Sequence, residues 1–147
     1  MPAETIALAA DHAGFELKQL LKRDLEGLEM RVLDLGTDSA ASVDYPDFGR
    51  RMAETIRAGK AGRGVLVCGT GIGIAIAANR DPAVRAAVCH DVTSARLARE
   101  HNDANVLALG ARLIGPETAR QCLRAFLETS FGGGRHTPRV AKLSAPA

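Results

Sequence analysis

Residues 64–79 read Gly64-Val65-Leu66-Val67-Cys68-Gly69-Thr70-Gly71-Ile72-Gly73-Ile74-Ala75-Ile76-Ala77-Ala78-Asn79, and this stretch decides the fold. An apolar run short enough for a strand ends at Cys68, a glycine-rich turn follows, and a second apolar run extends to Asn79. The segment therefore reads as a buried strand, a tight turn and a helix over 71–79. That helix is apolar on most sides and is expected to be buried.

The same alternation continues in both directions. Candidate strands lie at 5–9, 30–34, 64–68, 83–89 and 105–109 with amphipathic stretches between them, the pattern of βα units around a parallel sheet. After the first strand, Leu17, Leu20, Leu21, Leu25 and Leu28 share a helical face, with charged residues between them and Gly27 near the stop. Pro46 opens a second helix whose Phe48, Met52 and Ile56 share a face, and Gly59 marks its end. Asp91 is the expected N-cap of a helix through 94–100, and Pro116 opens a last one striped by Ala119, Cys122, Leu123 and Phe126. Gly132-Gly133-Gly134 then releases a tail carrying Arg135, His136, Arg139 and Lys142 without an acidic residue. With no internal repeat visible, one domain is expected over 1–147, with a basic C-terminal tail from about 132.

Composition narrows the function. The chain is 46% hydrophobic and 24% charged, which excludes intrinsic disorder and fibrous classes. Its 19 basic and 17 acidic residues give +2, and aromatics are 3% with no Trp, so a nucleic-acid partner is disfavoured. Three cysteines, Cys68, Cys89 and Cys122, have no CxxC spacing and do not suggest a disulfide framework. Met1 leads into a strand-like segment with no signal-peptide pattern, and no run approaches membrane-span length; a cytoplasmic, reducing setting is expected, with no membrane partner.

Ligands of parallel α/β sheets sit beyond the carboxyl ends of the strands. Those positions hold Asp11 and His12, residues 36–45, 68–73, His90 and Asp91, and 110–112. The turn Gly69-Thr70-Gly71-Ile72-Gly73 lets backbone N–H groups approach an anion at a helix N-terminus, or serves only to pack a tight turn. Dinucleotide spacing is broken by Ile74 and Ile76, and the P-loop pattern is absent. Cys68 lies where a thiolate is favoured and could act as base or nucleophile, or it is a small buried hydrophobe, the better reading for Cys89 and Cys122. Asp11-His12 could be a capping pair, and His101-Asn102-Asp103 a helix C-cap. The basic tail is either solvated or an anion contact. The four histidines at 12, 90, 101 and 136 lack zinc-ligand spacing, so a reaction without metal is expected.

Six segments in register, spanning nearly the whole chain, resemble the type B ribose-5-phosphate isomerases, a family shared with allose-6-phosphate and galactose-6-phosphate isomerases. They are Ala10-Asp11-His12-Ala13-Gly14-Phe15 with Leu17-Lys18; Asp34-Leu35-Gly36-Thr37; Asp44-Tyr45-Pro46; Cys68 to Gly73 followed by Ala77-Ala78-Asn79; Arg99-Glu100-His101-Asn102-Asp103; and Gly134-Arg135-His136 with Arg139-Val140. The resemblance implies a three-layer α/β/α sandwich with a five-stranded parallel sheet, Rossmann-like, no cofactor, and a homodimer or dimer of dimers with shared active sites. It implies interconversion of ribose 5-phosphate and ribulose 5-phosphate through an enediolate, in the pentose phosphate pathway.

By the same resemblance, Cys68 is the base, Gly69, Thr70, Gly71, Ile72 and Gly73 cradle the intermediate's oxygens, and His101 opens the sugar ring with Asn102 beside it. Asp11 and His12 match substrate contacts, and Arg112, Arg135 and Arg139 match contacts largely to the phosphate. Tyr45 occupies a family motif without an assigned role. One family branch places a glutamate base six residues after the cysteine position; here that residue is Ile74. Members split over two different subunits have incomplete motifs, whereas this chain carries all of them. The loop 89–93 fits the family pattern least. Alternatives are an isomerase of a six-carbon sugar such as allose 6-phosphate, and a non-catalytic phosphosugar-binding module with no need of Cys68 or His101.

Overall fold

The computed structural model describes residues 3–145, so Met1 and both extreme ends of the expected domain lie outside the described residues. Five strands form one parallel sheet: β1 (Thr5–Ala10), β2 (Arg31–Asp34), β3 (Arg63–Cys68), β4 (Ala86–Val88) and β5 (Val106–Gly110), in the order β2-β1-β3-β5-β4. Between them run α1 (Phe15–Gly27), α2 (Tyr45–Arg57), α3 (Ile72–Asn79) and α4 (Val92–Asn102), and after β5 come α5 (Pro116–Glu128) and α6 (Thr137–Leu143).

Alternate side chains of a strand face opposite sides of a sheet, and here both sides are apolar. Ile6, Leu8, Val65, Val67, Leu107 and Leu109 pack with α1, α4 and α5. Ala7, Ala9, Leu66, Cys68, Val106 and Ala108 pack with α2 and α3. The result is a three-layer, Rossmann-like α/β/α sandwich. Small residues bring the inner elements close: a Cβ on Gly14 would meet the Val67 carbonyl oxygen at 2.5 Å, and one on Gly64 the Met52 sulfur at 2.3 Å. Crossovers leave β1 and β3 in opposite directions across the sheet, so the crevice for a ligand opens between their carboxyl ends. No helix among the described residues is long and apolar enough to cross a membrane.

Three expectations change, and the tail, left open by the sequence, is ordered. Only Ile74, Ala75 and Ala78 of α3 are buried, while Ile72 and Ile76 are 51% and 61% exposed, because none of the described residues covers their face. Lys18, read as one of the charged residues between the α1 leucines, is fully buried. Asp34 at the end of β2 draws it in, at 2.8 Å, and Leu28 is exposed instead. The fourth strand is shorter than 83–89, because Asp81 caps the backbone at Ala83 and the Asn79 and Asn105 side chains take the N–H groups of Ala86 and Arg85. The basic tail is ordered, forming a 3-10 turn at Gly134–His136 and then α6, with Pro138 in its first turn.

Candidate active site

The carboxyl edge of the sheet gathers one half of the candidate residues. Cys68 ends β3, 4% exposed, and the chain turns through Gly71 at φ +78°, a conformation that glycine adopts freely. This turn aims the Gly71 N–H at the Cys68 Sγ, 3.1 Å away. A Cβ at Gly71 would lie 2.9 Å from the Leu109 backbone, so the turn sits directly on β5. Thr70 Oγ1 accepts the Ile72 N–H at 3.2 Å, while the N–H groups of Gly73 and Ile74 belong to the first helical turn, which has no intrahelical acceptors. Sulfur and donors thus face one point at the start of α3.

Neighbouring loops close around that point. Asp11 is buried, and its N–H donates to the Val67 carbonyl at 3.2 Å while its Oδ1 accepts the Gly14 N–H at 3.1 Å. Capping accounts for one carboxylate oxygen. His12 Nδ1 accepts the Val43 N–H at 3.1 Å, so in the neutral ring Nε2 carries the hydrogen and is the donor. Tyr45, at the start of α2, lies over Gly73 so closely that a Cβ there would meet its ring at 2.3 Å. The loop leaving β5 is clipped to the turn by Ala111 N–H to the Cys68 carbonyl, 2.9 Å, and Arg112 N–H to the Gly69 carbonyl, 3.0 Å. The Arg112 guanidinium comes within 3.3 Å of where a Gly69 Cβ would stand.

The other half lies at the opposite edge. α4 runs back along the sheet, so His101 and Asn102 sit where β5 begins, separated from Cys68 by the four residue steps from Val106 to Gly110, about 13 Å along the strand. Asn102 lines a cleft of about 350 Å³ with Asn79, Arg85, Ala104 and Leu143. The tail is fastened to the same place: Gly132 N–H donates to the Glu100 carbonyl at 2.9 Å, Arg99 to the Thr129 carbonyl at 3.1 Å, and Arg85 to Ser144 Oγ at 2.9 Å. Arg135 and Arg139 are exposed beside it. Within one chain, the thiol and the proposed ring-opening imidazole are on different edges.

Two features escaped the sequence reading. The His136 ring stacks on that of His101, centroids 4.5 Å apart and planes 18° from parallel. Only their separation of 35 positions along the chain, bridged by a glycine run, was visible beforehand. The Nε2 of His90, in the loop after β4, is buried without a hydrogen-bond partner among the described residues. The other thiols are unreactive by environment: burial pushes Cys122 up to about 11 and also raises Cys89. Ile74, in the place of the alternative glutamate, is fully buried in the core.

Residues 6–143 match the family described as Ribose/Galactose Isomerase. The chain is 43% identical over 140 residues to ribose-5-phosphate isomerase B of Escherichia coli, covering 95% of this chain and 94% of that one. It is 44% identical over 140 residues to D-erythrulose-4-phosphate isomerase of Pectobacterium atrosepticum, covering 95% and 92%. Among solved structures, ribose-5-phosphate isomerase B of Clostridium thermocellum superposes with a TM-score of 0.94 at 46% identity, covering 95% of each chain. The Thermotoga maritima ribose 5-phosphate isomerase gives 0.93 at 49%, covering 96% of this chain and 97% of that one.

Proposed function

The chain belongs to the ribose/galactose isomerase family and is a sugar-phosphate isomerase, and from that premise we propose that it interconverts D-ribose 5-phosphate and D-ribulose 5-phosphate as a cytoplasmic enzyme of the pentose phosphate pathway. The observation that carries the reading is the Gly71 N–H directed at the Cys68 sulfur at the mouth of α3. The backbone N–H fixes the sulfur at the mouth of the helix, and free N–H groups beside it can receive a developing oxyanion.

In the proposed mechanism His101 protonates the ring oxygen as the C1–O4 bond breaks, and the anomeric hydroxyl loses its proton to water, leaving an open aldose. The Cys68 thiolate then removes the C2 proton. The electron pair forms the C1–C2 double bond, and negative charge moves to O1, against the N–H groups and Thr70 of the turn 69–73. Transfer of the hydroxyl proton from O2 to O1 and return of the Cys68 proton to C1 give the ketose. Each prearranged donor is worth about 3 kcal/mol, and a placed acid or base about 10²- to 10⁴-fold. Asp11, His12 and Asn102 hold sugar hydroxyls, while Arg112, Arg135 and Arg139 hold the phosphate.

We further propose a homodimer in which each site joins the carboxyl edge of one chain to the amino edge of the other. Support comes from the separation of Cys68 and His101 within one chain and from the uncovered Ile72 and Ile76 beside the turn. The ring oxygen of ribose 5-phosphate is three atoms from phosphorus, which suits an acid at His101 flanked by Arg135 and Arg139. C1 and C2 then lie toward the thiol.

Ribose 5-phosphate, allose 6-phosphate and D-erythrulose 4-phosphate compared by kcat/KM test the substrate, and a preference for either of the last two overturns the five-carbon assignment. The similarity to a D-erythrulose-4-phosphate isomerase is the reason to include the four-carbon sugar. Binding without exchange of C1 or C2 protons into water would instead indicate a phosphosugar-binding module.

A further inference from the structure

Among the described residues, stacking of His136 on His101 is the one contact between titratable rings that the mechanism above leaves unused. It is built by the tail. A Cβ on Gly132 would lie 3.0 Å from the Glu100 carbonyl oxygen and 3.8 Å from the His136 ring, so glycine there lets the chain fold back and lay one imidazole on the other. The groups facing the pair are unevenly distributed. On α4, Glu100 Oε1 is 3.9 Å from His101 Nε2, and Glu100 is itself paired with Arg96. On the tail, Arg135 and Arg139 flank His136. At the end of α4, Arg99 and Arg85 both engage Asp103, which neutralises that side.

Two imidazolium ions at this distance repel, so the stack carries one proton comfortably and two poorly. The two guanidinium groups disfavour a proton on His136. Consistent with this, His136 is held below the ordinary histidine value by burial, then by His101, Arg135 and Arg139, with Glu100 opposing.

We propose that His136 is a positioning residue for ring opening: its imidazole fixes the plane of the His101 ring and confines the stack to a single proton. The inference rests on the reading of His101 as the ring-opening acid. A phosphate bound by Arg135 and Arg139 would quiet the charges flanking His136, so the stack also links phosphate recognition to the acid beside it.

The test uses the full chain and two readouts. NMR titration of the histidine Cε1–H signals is expected to show the His136 midpoint rising in His101→Asn, where its neighbour no longer titrates. Single-turnover conversion of ribose 5-phosphate, with enzyme in excess, is expected to be one phase in the wild type. In His136→Ala a minor fast phase from open-chain sugar should precede a phase about ten- to a hundredfold slower, set by ring opening. His136→Phe, which keeps a stacked ring, should restore most of the fast conversion but shift the pH profile of kcat/KM. An unmoved His136 midpoint overturns the coupling, and a single wild-type phase in His136→Ala overturns the positioning. A wild-type chain that shows the coupling yet does not turn over ribose 5-phosphate would overturn the functional reading, and the positioning role with it.

Discussion

Replacing Gly71 by alanine tests the turn that presents donors to Cys68. The residue has φ +78°, where an L side chain costs about 1–2 kcal/mol. Its new Cβ would stand 2.9, 3.0 and 3.2 Å from the carbonyl carbon, oxygen and nitrogen of Leu109, all backbone atoms of a central strand that cannot yield cheaply. Overpacking of this kind costs about 1–3 kcal/mol, so the variant should lose about 2–5 kcal/mol of stability. Any relief must move the turn away from β5 and with it the Gly71 N–H, now 3.1 Å from the sulfur. Losing a hydrogen bond to a charged group is worth about 1.5–3 kcal/mol, or about ten- to a hundredfold in kcat/KM. Urea unfolding and isomerisation assays read the two effects separately, with Gly27→Ala as control. Nothing lies within 4 Å of a Cβ at Gly27, near the end of α1, so that change should be neutral or stabilising by up to about 1 kcal/mol. A Gly71→Ala variant within 0.5 kcal/mol of the wild type, a limit of about the scatter between neutral surface changes, and with unchanged kcat/KM would refute the account of the turn.

Other perturbations follow from the same geometry. Cys68→Ala should lower turnover by at least about 10²-fold while phosphosugar binding persists; retained turnover, measured by ketose formation, would remove Cys68 as the base. Arg139→Ala should raise KM far more than it lowers kcat, and unchanged values of both would count against a phosphate contact. Iodoacetamide near neutral pH should mark Cys68 alone, since burial raises both Cys89 and Cys122, and ribose 5-phosphate should protect it, as read by peptide mass spectrometry. Lys18→Met should cost about 2–4 kcal/mol at pH 7, below the full value for a buried pair because Lys22 and the Gly36 N–H still reach Asp34. Burial opposes the Asp34 charge, but hydrogen bonds from Lys18 and Gly36 outweigh it and hold the carboxyl below its ordinary value near 3.8. A depressed carboxylate stabilises the fold above its unfolded value and stops doing so as pH falls through the folded one. The gap between Lys18→Met and wild type should therefore close below about pH 4, and a constant gap in acid unfolding would refute the pairing.

Much of this was legible in the residues because period and punctuation agree. The apolar run into Cys68, the glycines behind it, and the prolines opening α2 and α5 each state locally what the sheet requires globally. What stayed hidden depended on partners distant in the chain. Lys18 looks like any solvent-facing lysine until Asp34, 16 positions later, arrives at its amine. The tail looks unstructured until Arg99, Arg85 and the Glu100 carbonyl accept it against α4. Ile72 and Ile76 mislead in the other direction: their apolarity predicts burial, and both are exposed. At the site, the motif resemblance assigned roles to His101 and Cys68 but no distance between them, which needed the direction of α4 along the sheet.

That direction has a genetic consequence. If each chain lends its thiol to one site and its imidazole to the other, lesions at the two edges do not add within a mixed dimer. A subunit lacking Cys68 paired with one lacking His101 concentrates both defects in one site and leaves the second intact. Two alleles that are each silent alone would then complement one another, whereas two lesions on the same edge would not.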